Sequence, residues 1–590
     1  MNNKETEVYA IDFETFYDGD YSLSGMSISQ YVNDPRFDAY LVSIVGPGIS
    51  WAGAPKDAPW DKIDGKVWVS HNMAFDFQVW DKLVELGQVP GDFEPEEWHC
   101  TANLCAYIQA PRNLKAAVKA LFNIEMSKDV RDEMKGMRYK LLPRNVQESW
   151  EEYAMIDSEY CLRIWNTFSN RWPENERKIS FYTIMDGFRG VNVDWDFLEE
   201  AQRKMQEVIF EANSAIPWVR EGRKALALTA VRDECKKIGI SAPASMAKNT
   251  DAFDKWLAKH GDKVSWALAM GRLRKADKLY KSLCEIEARH KEDDTISFGL
   301  KYFGASQTGR WSGEQGLNMQ NLTKGETFGY CMRHLFIPRP GKKFVISDLS
   351  AIEPRVLAWL AGDDEFLDKM RQGMDCYEAH ARAYMGYVDP RPLKEVDGKL
   401  RQYAKARVLG AGYGASGTSY VSIAKAMAGL DLSLAEAKAE VAEFRKTNKL
   451  TVGLWKQMDR ELKSCARSEI DMQVELPSGR IIYYFDPDAN TACRLQGGFE
   501  RRNTYGAKLV ENLVQATARD IFADGYVRVA ESEMFDTCWT VHDEIIAEVD
   551  ESVPDEDAIR EIEKLMSTPP AWASDLPLAA EASVSNKYNK

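Results

Sequence analysis

The chain has 590 residues, 45% hydrophobic and 28% charged, with a formal net charge of −15. That is the composition of a soluble globular protein with room for several cores; no apolar run reaches the roughly 18 residues of a membrane span, and the opening MNNKETEVYAIDFET lacks the basic-then-apolar pattern of a secretory signal. The ten cysteines are scattered, with no paired CxxC or Cys/His set, which argues against zinc and makes free thiols in a reducing cytoplasm the expectation.

Residues 8–170 read as an α/β unit, with strand-like VYAIDF and KVWVSH followed by helix-like stretches. From about 195 to 290 the pattern turns helical and charged: DWDFLEEAQRKMQEVIFEA, then DAFDKWLAKHG with Asn249 and Thr250 as caps, then SWALAMGRLRKADKLYKSLCEIEA. KKFVISDLS (342–350) reads as a strand and AIEPRVLAWLAG after it as a helix. LRQYAKARVLGAGYGAS (400–416) reads as a helix running into Gly-rich chain. DMQVELPSGRIIYYF (471–485) reads as a hairpin turning at Pro-Ser-Gly, and TVHDEIIAEV (540–549) as the last clear strand. The acidic balance argues weakly against a nucleic-acid partner, but MGRLRKADKLYKS (270–282) and FRKTNK (444–449) could line a basic groove; each alone reads as a solvated helix face.

Two acidic sets carry chemistry. In IDFET, Asp12 and Glu14 are two apart on a strand, so both point to one face. SHNMAFD places Asp76 at a strand-to-helix junction, and YAMIDSEYCLRIW puts Tyr153 and Asp157 on one helical face. Four carboxylates and a phenol at one end of a small sheet suit Mg²⁺ or Mn²⁺, and two such ions serve phosphodiester hydrolysis. In order and spacing the three fragments resemble the exonuclease motifs of a DnaQ-like 3′→5′ proofreading domain, an RNase H-like fold. On that resemblance Asp12, Glu14, Asp76 and Asp157 are metal ligands and Tyr153 orients the water.

The second set pairs Asp348, at the end of VISDL, with His542, Asp543 and Glu544 inside TVHDEIIAEV. Adjacent carboxylates in a half-buried strand repel each other and resist desolvation. An edge strand facing water would relieve them; so would a pair of divalent ions shared with Asp348 and bridging a triphosphate and a primer hydroxyl. Between the two strands, Arg401, Lys405 and Tyr413 follow at steps of four, so one helical face would carry two cations for a triphosphate and an aromatic ring for a base.

These segments together resemble the family A DNA polymerases. DLSAIEPR is similar to motif A, RQYAKARVLGAGYG to motif B and VHDE to motif C. TGRWSGEQGLNMQN resembles the stretch that touches the primer–template minor groove, and LVENLVQATARDI the helix before motif C. The resemblance implies a multidomain α/β and α+β chain: a 3′→5′ exonuclease domain over 1–172, then a right-hand polymerase domain over 173–590. Within the latter it implies a thumb at about 195–300, palm at about 301–360 and 476–590, and fingers at about 361–475.

The resemblance also assigns roles. Asp348, Leu349 and Asp543 are placed with the metal ligands, and Glu544 beside them. Glu353 becomes the steric gate under the sugar C2′, Arg401 and Lys405 hold the triphosphate, and Tyr413 guards the templating position. Arg310, Gln320, Asn321, Gln515 and His542 contact primer or template, reading shape and minor-groove acceptors rather than sequence. Primer–template DNA and dNTPs are the implied partners of a monomer, with two Mg²⁺ or Mn²⁺ ions at each active site.

Four positions depart from the family pattern: Leu409 where Phe or Tyr is usual, Tyr377 where many members have His, Ala351 for a frequent Gln and Glu511 for a common Asn. Little chain precedes residue 8 to hold a 5′-nuclease domain, and VELPSGRIIYY resembles phage replicative members more than bacterial repair enzymes. The reading is therefore a DNA-templated DNA polymerase with proofreading. The runner-up is an active exonuclease on a non-catalytic polymerase-like scaffold, which the intact Asp348, Asp543, Arg401 and Lys405 oppose. A structural replisome protein would leave two complete metal constellations unexplained. A single-subunit RNA polymerase is disfavoured by Glu353 and the attached exonuclease motifs.

Overall fold

The computed structural model describes residues 7–126, 133–247, 251–488, 490–495 and 501–590. The chain opens with a five-stranded sheet in the order Ile49–Gly53, Ala39–Gly46, Val8–Thr15, Val67–Ser70, Glu97–Cys100. Its first three strands are antiparallel, and the last two run parallel to Val8–Thr15. This is the mixed sheet that the RNase H-like expectation asks for. The period of two in the central strand sorts its side chains between two cores. Tyr9, Ile11 and Phe13 join a core with Trp60, Trp68 and Trp98. Ala10, with Val67 and Val69, faces a second core that extends through the rest of the molecule.

The N-terminal unit is tied down rather than tethered. Helix Glu174–Arg189 follows it, and two of its acids are buried against later chain. Glu176 accepts from the Tyr302 hydroxyl at 2.7 Å and from the Arg519 guanidinium. Asp186 accepts from the Tyr526 hydroxyl at 2.6 Å and from Thr537 Oγ1 at 2.8 Å. Buried acids of this kind persist only when their oxygens are satisfied, so this helix fixes the first unit on the second.

Helices Trp195–Ala215 and Ser265–Glu287 pack as a long pair. Leu198, Ala201, Met205, Val208 and Ala212 make the buried stripe of the first, at helical spacing. Trp218, Phe253 and Trp256, from the chain between them, form a small core with Trp266 of the second helix. Helix Ala252–His260 forms as expected, while its two expected caps, Asn249 and Thr250, lie outside the described residues.

A four-stranded antiparallel sheet lies at the centre, in the order Asp536–Val541, Glu544–Asp550, Lys342–Leu349, Ala580–Ser585. Two expectations are corrected here. TVHDEIIAEV is not one strand: it breaks at His542–Asp543 into a tight hairpin, because Val541 pairs with Glu544. Nor is it the last strand, since Ala580–Ser585 adds an edge to the sheet beside Lys342–Leu349. Helices from Ile352–Ala361 to Lys449–Ser468 form the lobe inserted after the Lys342–Leu349 strand. The expected hairpin follows as Met472–Glu475 and Ile481–Tyr484, with Gly479 at a φ of 81° in its turn. Helix Gly506–Ala530 is buried on nearly all sides and backs the central sheet. No described helix is long and apolar enough to cross a membrane.

Candidate functional site

The first acidic set forms at the end of strand Val8–Thr15. Its register with Ala39–Gly46 shifts between Glu14 and Thr15, an irregularity of the kind that re-aims side chains. Ser43 fastens helix Arg144–Phe168 over this strand pair. Its hydroxyl donates to the Ala154 carbonyl at 2.9 Å and lies 2.7 Å from Ser158 Oγ. The helix thereby holds Asp157 close to the strand. Oxygens of Asp12, Glu14 and Asp157 all lie within 4.8 Å of one another, a spacing one cation can bridge.

Asp76 stands outside that set of three. It lies in the first turn of helix Met73–Glu85, is 2% exposed, and its Oδ1 accepts from the Phe13 amide at 3.2 Å. Burial pushes its carboxyl up to about 7 against the opposing pull of backbone amides. Tyr153, one turn before Asp157, lines the same cleft of about 810 Å³, which Phe298, Lys301 and Gln315 of the later chain also line.

The second set forms on the central sheet. Asp348 sits directly opposite Glu544 across the strand pair, and His542 and Asp543 make the two-residue turn. His542 has a φ of 57°. A two-residue hairpin turn asks for a positive φ, which histidine adopts more readily than most non-glycine residues. The Leu349 amide donates to the Asp543 carbonyl at 3.1 Å, locking the turn to the strand that carries Asp348. Leu349 has a buried apolar side chain, so its main-chain carbonyl is the only donor it can offer a metal.

Burial pushes the carboxyls of Asp543 and Glu544 above the usual range. For Glu544 the Tyr588 hydroxyl opposes this, donating to Oε1 at 2.9 Å. The Lys590 ammonium contacts Asp348 Oδ1 and lies 3.8 Å from Glu544 Oε2. Arg333 donates to the Tyr588 hydroxyl at 2.8 Å and to the Lys590 main-chain carbonyl. The donor set therefore fits a cation: hard oxygens, partly desolvated, already gathered around a positive charge.

Around this set the other expected residues sort into groups. Glu353, in the first turn of helix Ile352–Ala361, pairs with Arg310 through Oε1 and accepts from the Tyr413 hydroxyl through Oε2 at 3.3 Å. Tyr413 is not on the face of Arg401 and Lys405. The helix ends at Leu409, a short 3₁₀ turn Ala411–Tyr413 follows, and Gly414 at a φ of 76° redirects the chain. A Cβ at Gly414 would lie 2.4 Å from Ala507 Cβ, so the close approach requires glycine.

Arg401 donates to Asp375 Oδ2 at 3.1 Å and lies 4.9 Å from the Tyr377 ring centre, while Lys405 stays half-buried one turn on. Burial pushes the Tyr377 hydroxyl up to about 12. Leu409 is half-buried, and Ala351 takes a φ of 54° at the helix start. Burial, and then the Arg310 charge, hold the His542 imidazole below its usual value, hence neutral near pH 7. Gln320 is buried and Asn321 exposed in the turn Met319–Asn321. Gln515 lies on helix Gly506–Ala530, as does Glu511, which pairs with Lys508 at 2.8 Å.

Sequence reading missed Asp375, Arg333, Tyr588 and Lys590. Asp375 is legible in hindsight as an N-cap, since it accepts from the amides of Tyr377 and Glu378. The other three carry no local signal; their positions follow only from how the last residues pack.

A family model for DNA polymerase family A matches residues 244–590, and the chain belongs to that family. The DNA polymerase of Bacillus phage SP02 is 28% identical over 576 residues, covering 84% of this chain and 86% of that one. DNA polymerase I of Aquifex aeolicus is 31% identical over 39% of this chain and 37% of its own length. The DNA polymerase of Escherichia phage T5 is 26% identical over 55% of this chain and 42% of its own. The SP02 match thus runs over most of both chains. Among solved structures, the POL domain of Pol1 from M. smegmatis, in complex with DNA primer-template and dNTP, superposes over 99% of this chain and 96% of that one, with a TM-score of 0.70 at 16% identity.

Proposed function

We propose that this family A polymerase extends a primer on a DNA template with dNTPs at Asp348, Asp543 and Glu544, and removes nucleotides from 3′ ends at a separate N-terminal centre, in phage replication. The observation that carries the first activity is the register that sets Asp348 opposite Glu544 with Asp543 in the joining turn. The second rests on the convergence of Asp12, Glu14 and Asp157 within 4.8 Å.

The first unit, residues 1–172, is the exonuclease. In the polymerase, the helix pair at about 195–300 is the thumb, the central sheet lies in a palm of about 301–360 and 476–590, and the helical lobe at about 361–475 forms the fingers. Two Mg²⁺ or Mn²⁺ ions at each centre would activate the attacking oxygen and stabilise the leaving one. Asp348, Asp543 and the Leu349 carbonyl would hold them in the palm; Asp12, Glu14, Asp76 and Asp157 would hold them in the exonuclease. Tyr153 lines the exonuclease cleft from the turn before Asp157, where a phenol can orient water.

Arg401, steadied by Asp375 and Tyr377, and Lys405 meet the triphosphate as fixed cations. Glu353, clamped by Arg310 and Tyr413, fills the space of a ribose 2′-OH. Tyr413 stands at the templating base, Leu409 flanks the nucleotide, and Arg310, Gln320, Asn321, Gln515 and neutral His542 face the duplex. Primer extension with each dNTP and each rNTP, together with degradation of single-stranded DNA, tests this reading. Template-directed incorporation of dNTPs and shortening of 3′ ends are expected. Degradation without extension would favour an exonuclease carried on a non-catalytic scaffold.

A further inference from the structure

We propose that Lys590 is a built-in counter-cation of the polymerase centre: its ammonium occupies the cation position on Asp348 and Glu544 and must leave it when a divalent ion binds there. This rests on the reading of Asp348 as a metal ligand.

Asp348 and Glu544 face each other on adjacent strands, and like charges directly opposite in an antiparallel pair are destabilising. Burial aggravates this at Glu544, which is 7% exposed. A cation has to compensate, and the nearby arginines are committed elsewhere. Arg310 pairs with Glu353, and Arg333 donates to the Tyr588 hydroxyl and the Lys590 carbonyl. Among the described residues Lys590 makes the ion pairs with these carboxylates, on Asp348 Oδ1 and 3.8 Å from Glu544 Oε2, with the Lys324 charge near enough to act on Glu544 and on Lys590 itself.

The residues before it deliver it there. Tyr588 is fully buried, its amide donates to the Phe336 carbonyl at 2.9 Å, and its ring meets Trp539 edge-on at 5.3 Å. Its hydroxyl donates to Glu544 at 2.9 Å. With Tyr588 pinned, the backbone of Lys590 stays within about 7 Å of it, the reach of two extended residues, and Arg333 holds its carbonyl. Within that range a lysine, a compact charge on a flexible stem, can swing on and off the carboxylates. The backbone strap is thus fixed while the charge at its end is exchangeable. Palm carboxylates that would repel each other are kept in register, and metal binds there in competition with the chain's own cation.

The test is Mn²⁺ binding to the full chain without DNA or nucleotide, followed by electron paramagnetic resonance. Binding lost in Asp348→Asn defines the palm signal, independently of the N-terminal centre. Lys590→Ala should raise the affinity of that signal roughly 3- to 10-fold, as removal of a partly exposed ion pair allows. Lys590→Arg should stay nearer the parent chain, and Lys590→Ala in the Asp348→Asn background should gain nothing. An unchanged palm affinity in folded Lys590→Ala overturns the proposal. A parent chain whose Mn²⁺ binding is the same with and without Asp348→Asn overturns the ligand reading instead, and the proposal with it.

Discussion

Asp12, Glu14 and Asp157 are brought together within one stretch of chain, by a strand of period two and a helix fastened to the neighbouring strand through Ser43. Asp348, Asp543 and Glu544 are brought together across the whole second half of the molecule, by the pairing of two strands far apart in sequence. The first group gathers its carboxylates so that one ion can bridge them. The second places them on a rigid ladder with Lys590 between and arginines committed to the surrounding groups. The first site depends on how one helix docks on a strand pair; the second depends on strand register and on what else the fold brings to the same spot.

The sharpest way to break this comparison is to silence each group alone. Asp348→Asn or Asp543→Asn should lower primer extension by at least ~10²–10³, on the scale of other electrostatic catalytic groups, while degradation of single-stranded DNA persists. Asp12→Ala with Glu14→Ala should do the converse. Loss of both activities in a folded variant of either kind would mean that the two groups do not act separately.

Next in size is sugar choice. Glu353→Ala opens the space beneath the sugar and frees Arg310 and Tyr413. The ratio of rNTP to dNTP incorporation should rise on the order of tenfold to a hundredfold, the range in which a pocket rejects or accepts one hydroxyl. A ratio that stays put would assign the gate to another side chain.

Leu409 sharpens the polymerase side further. It has neither a hydroxyl nor a flat face to offer the nucleotide that the proposed function sets beside it, so dideoxynucleotides should be strongly rejected. Leu409→Tyr should relax that rejection by restoring a hydrogen-bonding group near the 3′ position. Single-turnover incorporation of each dNTP and its dideoxy counterpart, on exonuclease-silenced protein, reads this out. An equal loss for both would reveal simple overpacking, at roughly 1–3 kcal/mol of stability.

The smallest expected effect concerns the helix joining the two halves. Burial pushes the Asp186 carboxyl up to about 7, partly opposed by the Tyr526 hydroxyl and the Arg189 charge. Since the unfolded value is near 4, the folded chain binds the extra proton between about pH 4 and 7, and stability falls as pH rises through that window, by at most about 1.4 kcal/mol per pH unit. Asp186→Asn should flatten that slope in thermal unfolding followed from pH 5 to 8 in EDTA. Identical slopes in parent and variant would remove Asp186 from the account.

Much of the local structure that carries both acidic sets was legible in the residues themselves. The spacing of Asp12 and Glu14, the turn from Tyr153 to Asp157, the strand before Asp348 and the hairpin around Pro-Ser-Gly are local patterns, and local backbone periodicity reproduces them. The same logic failed at Tyr413, where a step of four was extended past the end of the helix; glycine at 410 and 414 ends that periodicity. It also failed in TVHDEIIAEV, where β-branched residues on both sides of His542–Asp543 concealed a turn without glycine.

The sequence by itself thus determined which carboxylates to single out, that they fall into two groups, and the family to which the chain belongs, because side-chain spacing and motif order are properties of the chain alone. Tertiary structure decided the rest. It set Asp348 opposite Glu544, held Asp76 near neutrality by burial, turned Tyr413 onto Glu353, and laid Tyr588 and Lys590 on the palm carboxylates. Register, desolvation and the docking of Tyr588 and Lys590 are sums over contacts between residues far apart in sequence, and a one-dimensional pattern does not contain them.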